Sequence, residues 1–334
     1  MRIAMIEVGH WHASMHLRSF KLAEGVEIVG VSDHQPGAAA AFAQTSGGQT
    51  FERYEDMLEA TQPDFVIAMG RHVDMPAIAR FLLDTGLPFA MEKPIGLSAA
   101  DVAPLVELAE ARNAFVAVPL VNRYSGMWRL LDELEAAGRV GRRSHFHFRV
   151  INGPPERYAL DGVGWMLDPA VSGGGCLRNV GIHTVDGFLR FTEGEAVEVL
   201  SAAISHRVHG AAIEEFCAAL LRSESGVIGT VEAGYSYASM KPGGDFEGRL
   251  SAANCYIIDR NDTLEVATLD DDAAQTLSIP DQGARYDQFG PDTLARLRDG
   301  RPPIANLRDC YRAMQVIDDI YAQAVVTRQR CLVL

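Results

Sequence analysis

The feature that most constrains the fold is an alternation of strand-like and helix-like segments over the first 120 residues. Apolar runs with the length of buried strands lie at 2–6, 26–31, 65–69, 87–91 and 115–120. Helix candidates lie at 13–20, 37–44, 74–84 and 98–112. Because this alternation implies crossover helices between neighbouring strands, it predicts an α/β domain whose parallel sheet is covered by helices on both faces.

The pattern changes after residue 120. Helix candidates lie at 125–137, 177–190 and 306–326, and strand candidates lie at 143–151, 196–208, 213–222, 227–236 and 250–258. The turn at 223–226 predicts a hairpin between two of these strands. Consecutive strands predict an α+β domain with a large, mostly antiparallel open sheet. We therefore predict two domains, residues 1–120 and 121–334.

Composition and charge argue against several classes of protein. The net charge of −14 argues against a nucleic-acid partner, because phosphate binding requires a basic surface. No apolar run approaches the roughly 18 residues needed to span a bilayer, and the first run is too short for a signal peptide. The five cysteines are scattered without a CxxC pair, unlike a disulfide framework or a structural zinc site. These features predict a cytoplasmic protein with no metal site.

The turn after the first strand matches part of a dinucleotide-binding fingerprint. Such a fingerprint has glycine at positions 7, 9 and 12, and only Gly9, where the backbone approaches the pyrophosphate, is present. His10, Trp11 and His12 then lead into a helix whose N-terminal amides would face the phosphates. Asp33 ends the second strand, where an acid binds the adenosine ribose hydroxyls. The pattern predicts a Rossmann domain that prefers NAD to NADP; alternatively, Asp33 only caps a turn.

Glu7, in place of the first glycine, puts a carboxylate beside the expected phosphates. It would weaken cofactor binding unless it is hydrogen-bonded or turned away. His10, His12 and His16 could offset its charge or orient it. Since His12 and His16 share a helix face, they could instead bind a metal ion. We favour histidines that border the cofactor cleft, at the surface or in a loop.

Two further segments carry candidate catalytic residues. Lys93 follows a strand, and the carboxyl end of a parallel strand faces the ligand crevice, although a lysine there is often only a surface charge. A glycine loop at 173–175 precedes a helix in which Asn179 and His183 are four residues apart and so share a face, with Asp186 three residues further on.

Together these segments resemble the Gfo/Idh/MocA family, which includes glucose-fructose oxidoreductase and inositol dehydrogenase. The resemblance covers nearly the whole chain. It includes EKPIG at 92–96, Asn122-Arg123-Tyr124, GRVG at 138–141, Trp165, GIHTVD at 181–186 and DGRPP at 299–303. It implies that the Rossmann domain packs against a C-terminal sheet domain that binds substrate and forms oligomers, a homodimer or homotetramer.

The resemblance also assigns roles to residues. It implies catalytic roles for Lys93, His183 and Asn179. It implies cofactor contacts for Gly9, His10, Trp11, His12, Asp33, Gly70, Arg71, Glu92 and Lys93. Candidate substrate-binding residues are Arg123, Tyr124, Tyr158 and Trp165, for which packing or surface charge is the alternative.

Two positions depart from the family pattern. Asn179 stands where many members have an aspartate, so it cannot supply that negative charge to Lys93 or His183. Residues 70–74 read GRHVD where many members read TPNxxH, so Asp74 occupies the usual histidine position.

The function that follows is an NAD-dependent dehydrogenase. It would transfer hydride between a sugar, cyclitol or related polyol and the nicotinamide, with His183 taking the alcohol proton and Lys93 assisting. Two alternatives stay open: an NAD-assisted enzyme of the glycosidase type, and a non-catalytic protein that binds NAD or a sugar for regulation. The sequence does not identify the substrate.

Overall fold

The first sheet is six-stranded, parallel and built from the N-terminal part of the chain. The computed structural model describes residues 1–241 and 243–328. Its first strands are β1 (Arg2–Ile6), β2 (Glu27–Ser32), β3 (Gln49–Phe51), β4 (Phe65–Ala68), β5 (Phe89–Met91) and β6 (Val116–Ala117), in the order β3-β2-β1-β4-β5-β6. The helices between them are α1 (Ala13–Lys21), α2 (Ala38–Ser46), α3 (Tyr54–Thr61), α4 (Met75–Thr85) and α5 (Ala99–Ala111). The predicted Rossmann architecture is confirmed.

The second sheet has nine strands in the order β14-β13-β12-β11-β7-β10-β9-β8-β15. They are β7 (Arg143–Asn152), β8 (Val197–His206), β9 (Phe216–Ser223), β10 (Ile228–Gly234), β11 (Gly244–Ala252), β12 (Cys255–Asp259), β13 (Thr263–Thr268), β14 (Gln275–Ser278) and β15 (Val325–Arg328). Neighbours are antiparallel except for the pairs β7–β10 and β8–β15, so the predicted mostly antiparallel sheet is confirmed. The predicted hairpin at 223–226 joins β9 and β10.

Helices cover the inner face of this sheet and connect it to the first domain. They are α6 (Gly126–Ala136), α7 (Glu156–Leu160), α8 (Pro169–Ser172), α9 (Ile182–Phe191), α10 (Gln282–Arg298) and α11 (Leu307–Gln323). A π-helical turn, Leu177–Gly181, precedes α9. Two 3-10 turns lie at Val121–Tyr124 and Gly164–Leu167. None of the described helices combines the length and apolar character needed to cross a bilayer.

Several segments differ from the sequence-based prediction, and the strands β3, β13, β14 and β15 and the short helices α7 and α8 were not predicted. The strand predicted at 250–258 is two strands, β11 and β12, joined by a tight turn. Helix α3 was not predicted, because it is only eight residues long. Helix α10 was not predicted either, because Gly290 and Pro291 interrupt a largely polar segment that becomes a helix only where tertiary packing supports it.

The cysteines agree with a fold that does not depend on disulfides. Cys176, Cys217, Cys255 and Cys310 are buried free thiols. The fifth, Cys331, lies outside the described residues.

Helix α10 returns to the first domain and packs against α1. The Ser19 hydroxyl donates to the carbonyl of Tyr286 and accepts from the amide of Gly290. Phe289 packs edge-on against Phe20, with ring centroids 5.8 Å apart. A Cβ at Gly290 would lie 2.7 Å from the backbone of Phe20, so only glycine allows this approach.

Replacing Gly290 therefore tests how much stability depends on the close packing of α10 against α1. Alanine is normally the better helix residue by about 1 kcal/mol. Here we expect Gly290→Ala to lower the free energy of unfolding by about 2 kcal/mol, because the added methyl meets backbone that cannot rotate away. Urea unfolding measures the change. Gly248→Ala is the control, since its added Cβ would have a nearest neighbour at 3.5 Å, and an equal loss in both variants would contradict the prediction.

Candidate active site

A cavity of about 440 Å³ lies between the two sheets, beside the turn that follows β1. Its wall combines residues from both parts of the chain, among them Trp11, His12, Lys93, Tyr158, Asn179, His183 and Tyr286. A second cavity of about 460 Å³ adjoins it and shares Trp11, His12 and Tyr158. This cleft therefore brings together residues that are up to 275 positions apart in the chain.

The turn after β1 has the geometry of a dinucleotide-binding turn despite the missing glycines. Glu7 has φ 58°, the left-handed conformation that glycine usually adopts at this position. The Gly9 amide donates to Oδ2 of the buried Asp33 at 2.6 Å, and a Cβ at Gly9 would lie 2.9 Å from the same oxygen. Gly9 therefore stays close to the end of β2, and the turn fits a nicotinamide dinucleotide.

The Glu7 carboxylate is held by His34, at the edge of the same turn. It accepts hydrogen bonds from the His34 ring and amide, so the expectation that His10, His12 or His16 orients it is wrong. Burial and the neighbouring Asp33 raise the pKa of Glu7, against the opposing effect of His34. The raised pKa reduces the negative charge on Glu7, and the hydrogen bonds from His34 offset part of the charge that remains. The cost of placing this carboxylate near phosphates is therefore smaller.

Glu92 is the polar centre of the site. Its Oε1 lies 3.0 Å from Nδ1 of His12 and 2.8 Å from Nε2 of His16, and its Oε2 accepts from the Lys93 amide at 3.0 Å. Burial alone would raise the pKa of Glu92, but the two histidines hold it well below its usual range. His10 and His16 are buried, which corrects the expectation of surface histidines. His12 and His16 both hydrogen-bond the Glu92 carboxylate, which gives their shared helix face a role that needs no metal ion.

Lys93 lies in the cavity wall against the π-helical turn. Its Nζ donates to the backbone oxygen of Asn179 at 2.9 Å and to Oδ1 of Asn179 at 3.1 Å. The amide of Asn179 donates in turn to the hydroxyls of Tyr158 at 2.7 Å and Tyr235 at 2.9 Å. Burial lowers the pKa of Lys93, and Glu92 only partly opposes this. Lys93 is thus a buried ammonium that bonds a neutral side chain at 179.

His183 lies one turn beyond Asn179 and lines the same cavity. Burial and then Lys93 lower its pKa well below the usual value, so the ring is neutral. Its Nδ1 is buried without a hydrogen-bond partner among the described residues. A π-helical turn, a feature frequent at functional sites, carries Asn179 and directly precedes the helix that carries His183.

The glycine loop serves to position this turn. Glu214, which is buried, accepts from the amides of Gly175 and Leu177 and from the hydroxyl of Tyr321. A Cβ at Gly175 would overlap the Glu214 backbone, so the glycine allows the contact. The loop therefore fixes the start of the helix that carries Asn179 and His183.

Comparison with known protein families shows to which family the chain belongs. Residues 1–120 match the model of an oxidoreductase family with an NAD-binding Rossmann fold, and residues 128–251 match a Gfo/Idh/MocA C-terminal domain. The chain belongs to the Gfo/Idh/MocA family. It is an NAD(P)-binding oxidoreductase, and the predictions of family and enzyme class are confirmed.

Individual Gfo/Idh/MocA relatives are distant. The chain is 25% identical over 325 residues to D-apiose dehydrogenase from Paraburkholderia graminis, covering 92% of this chain and 84% of that enzyme. It is 25% identical over 186 residues to inositol 2-dehydrogenase 3 from Saccharopolyspora erythraea, covering 51% of this chain and 55% of that enzyme.

Solved structures share the fold over almost the whole chain. Levoglucosan dehydrogenase in complex with NADH and levoglucosan has a TM-score of 0.85 at 16% identity, covering 97% of this chain and 96% of that one. A 3-ketoreductase from Actinomadura kijaniata in complex with NADP has a TM-score of 0.80 at 17% identity, covering 99% of each chain. At 16% and 17% sequence identity, the similarity shows that the fold is shared and no more.

Two of the substrate candidates lie away from the cavity of this Gfo/Idh/MocA protein. Arg123 is paired with Asp186 at 2.6 Å and Asp309 at 2.9 Å, and the Tyr124 hydroxyl donates to Asp292 at 2.8 Å. Neither side chain lines the cavity, because both are used to connect helices. The sequence could not show this, since the partners lie 63 to 186 positions away.

The remaining candidates surround the turn after β1. Tyr158 lines the cavity itself, whereas Trp165 does not line it but lies behind the wall, with its ring centroid 5.9 Å from that of Trp11 and 5.1 Å from that of His72. His10 stacks on Trp11 at 3.8 Å. In the loop after β4, Gly70 has φ 150°, and the Arg71 guanidinium donates to Asp74 at 2.6 Å.

Sequence analysis missed Tyr235, Tyr286, His72 and Glu214. Tyr286 lies in the cavity wall because α10 returns to α1, and Tyr235 follows β10. His72 is buried with its Nδ1 2.7 Å from the carbonyl of Ser172, and burial lowers its pKa to about 3. A single tyrosine or histidine carries no periodic signal, so only tertiary structure reveals these positions.

The surroundings of Arg123 indicate a structural role that can be tested. Arg123→Met leaves the buried Asp186 without its cation, so we expect the free energy of unfolding to fall by about 3 kcal/mol. Affinity for NAD, measured by calorimetry below the melting temperature, should not change. Arg301→Met is the control, because its exposed pair with Asp299 should be worth less than about 1 kcal/mol. A stable Arg123→Met protein with impaired ligand binding would contradict the structural role.

Proposed function

We propose that this chain is an NAD-dependent dehydrogenase of a sugar, cyclitol or related polyol. The observation that carries the proposal is the convergence of Lys93, Asn179 and His183 on one cavity beside the nucleotide turn. The relatives named as D-apiose and inositol dehydrogenases support a polyhydroxylated substrate. The polar side chains of Asn152, Arg157 and other residues at the mouth of the cavity suit such a substrate.

The cofactor would be held by the turn after β1. The proposed contacts are Gly9, His10, Trp11, His12, Asp33, Gly70, Arg71, Glu92 and Lys93. Asp33 would accept hydrogen bonds from the adenosine ribose and repel a 2′-phosphate, which favours NAD over NADP. When bound, the nicotinamide supplies the hydride acceptor.

The chain's own residues would handle the proton. Lys93 would hold the reacting hydroxyl, and neutral His183 would exchange its proton, a contribution typically worth about 10²–10⁴ in rate. Asn179 would keep Nζ of Lys93 in place through the two contacts described above. Tyr158 and Trp165 are the proposed substrate contacts, and Arg123 and Tyr124 are not retained.

Two further aspects of the proposal concern the whole molecule. A cytoplasmic location agrees with the free thiols of the described cysteines. A homodimer or homotetramer would use the outer face of the nine-stranded sheet. There, strands β9 and β10 alternate buried residues with partly exposed ones, such as Leu220 and Thr230.

Cofactor preference tests the role of Asp33. We expect calorimetric titration to give tighter binding of NAD than of NADP. Asp33→Asn should shift the ratio of the two affinities toward NADP by about tenfold, because one unit of like charge is removed from beside the 2′-phosphate. Glu59→Gln, on the exposed face of α3, changes the net charge equally and should not alter the ratio. Equal binding of both nucleotides to the wild type would refute the assignment.

The catalytic role of Lys93 is tested by Lys93→Met, which keeps the length of the side chain and removes its charge. We expect kcat/KM for NADH formation to fall by at least about 10². The protein should remain folded, because burial already disfavours the ammonium. NAD affinity and thermal unfolding are the accompanying measurements, and Lys21→Met, at the exposed last residue of α1, is the control. Near-normal turnover of D-apiose, levoglucosan or myo-inositol by Lys93→Met would exclude the role.

A further inference from the structure

His12 places an imidazole where the fingerprint has a glycine. It lines the 440 Å³ cavity together with Lys93 and His183, and it also lines the adjoining cavity, whose wall includes neither of them. Its side chain is 14% exposed, compared with 1% for His16. Of the two histidines bonded to Glu92, His12 is therefore the one in contact with the cavity.

The contact with Glu92 fixes the protonation pattern of the His12 ring. An ionised carboxylate only accepts hydrogen bonds, so Nδ1 of His12, 3.0 Å from Oε1, must be the donor. Nε2 of a neutral ring then carries the lone pair. Nε2 has no hydrogen-bond partner in the described part of the chain, and it is not among the fully enclosed polar atoms. The basic nitrogen of His12 is thus free to meet a ligand.

Among the residues that the structure describes, the other bases of the cavity have no carboxylate bonded to them as Glu92 is bonded to His12. His183 has no carboxylate within hydrogen-bond distance among the described residues, and Lys93 disfavours its protonated form. Asn179 is neutral and supplies no counter-charge. Burial and Lys93 lower the pKa of His12 as well, but Glu92 opposes them through a direct hydrogen bond. Glu92 would thereby stabilise the imidazolium, in the arrangement by which a carboxylate supports the histidine of a catalytic triad.

We propose that Glu92 and His12 form an acid–base dyad in which Nε2 of His12 is the final acceptor of the proton from the reacting hydroxyl. The proposal rests on the dehydrogenase function proposed above. During oxidation, the carbinol C–H bond would break and its electron pair would leave as hydride, for which bound NAD would supply the acceptor. The C=O bond forms, and the O–H proton that His183 takes up, as proposed above, passes on to Nε2 of His12, which lines the same cavity. From there it leaves to solvent through the adjoining cavity, and in the reverse direction His12 returns it.

The first test measures the protonation state of the His12 ring directly and requires no catalytic turnover. Long-range ¹H–¹⁵N spectra of protein labelled with ¹⁵N-histidine report which nitrogen carries the proton. The His12 signals are assigned by their loss in His12→Gly. We expect a neutral ring with Nδ1–H and unprotonated Nε2 at neutral pH. An Nε2–H tautomer, or a doubly protonated ring, would overturn the dyad whatever the activity.

The second test restores the glycine of the fingerprint. Glycine costs little at this position, the N-cap of α1, and the fingerprint glycine would contact the cofactor through its backbone, while His16 and the Lys93 amide still donate to Glu92. His12→Gly should therefore fold and still bind NAD. Turnover should nevertheless fall by at least about 10², and added imidazole should recover part of it. Ser14→Gly, exposed in the first turn of α1, is the matched control and should show neither the loss nor the recovery.

The outcomes separate this proposal from the proposed function. Turnover of His12→Gly equal to or above the wild type would overturn the dyad and leave the dehydrogenase intact. Failure of the wild type to reduce NAD with D-apiose, levoglucosan or myo-inositol would overturn both. Loss of turnover together with loss of NAD affinity would show that His12 serves cofactor binding, and would also overturn the dyad.

Discussion

The site depends on one buried carboxylate. Glu92, which follows β5, accepts from His12 at the N-cap of α1, from His16 within α1 and from the backbone of Lys93. A buried charge is tolerated only when it is paired and hydrogen-bonded, so these donors are a condition of the fold as well as a part of the site. The same contacts fix the turn that would face the cofactor and the lysine that would face the substrate.

Close packing of α10 against α1 supplies the second constraint. The glycine at position 290 lets the helices approach, and the approach places Tyr286 in the cavity wall, where its hydroxyl lies 3.4 Å from Nδ1 of His12. The family models match residues 1–120 and 128–251, so α10 lies beyond both matched segments. A segment outside the matched regions therefore shapes the site.

Much of the fold was predictable, because it follows from short-range pattern. The strands β1, β2, β4 and β5 come from largely apolar runs, and a capping box of Ser98 and Asp101 marks the start of α5, within the helix predicted at 98–112. Lys93, Asn179 and His183 were recognisable because each belongs to a distinctive motif. Arg123 and Tyr124 also belong to a motif, yet their side chains form ion pairs and hydrogen bonds away from the cavity, and no local pattern distinguishes these two situations.

The sequence by itself determined the parallel sheet, the second sheet, the family and the presence of a nucleotide turn with a lone glycine. Tertiary structure decided which polar groups pair. Glu7 is held by His34, while His12 and His16 are bound to Glu92, about 80 positions away. The physical reason is that a hydrogen bond requires a separation of about 3 Å. Only the folded chain sets such separations between distant residues, whereas the periodicity that forms strands and helices is written within a few neighbouring residues.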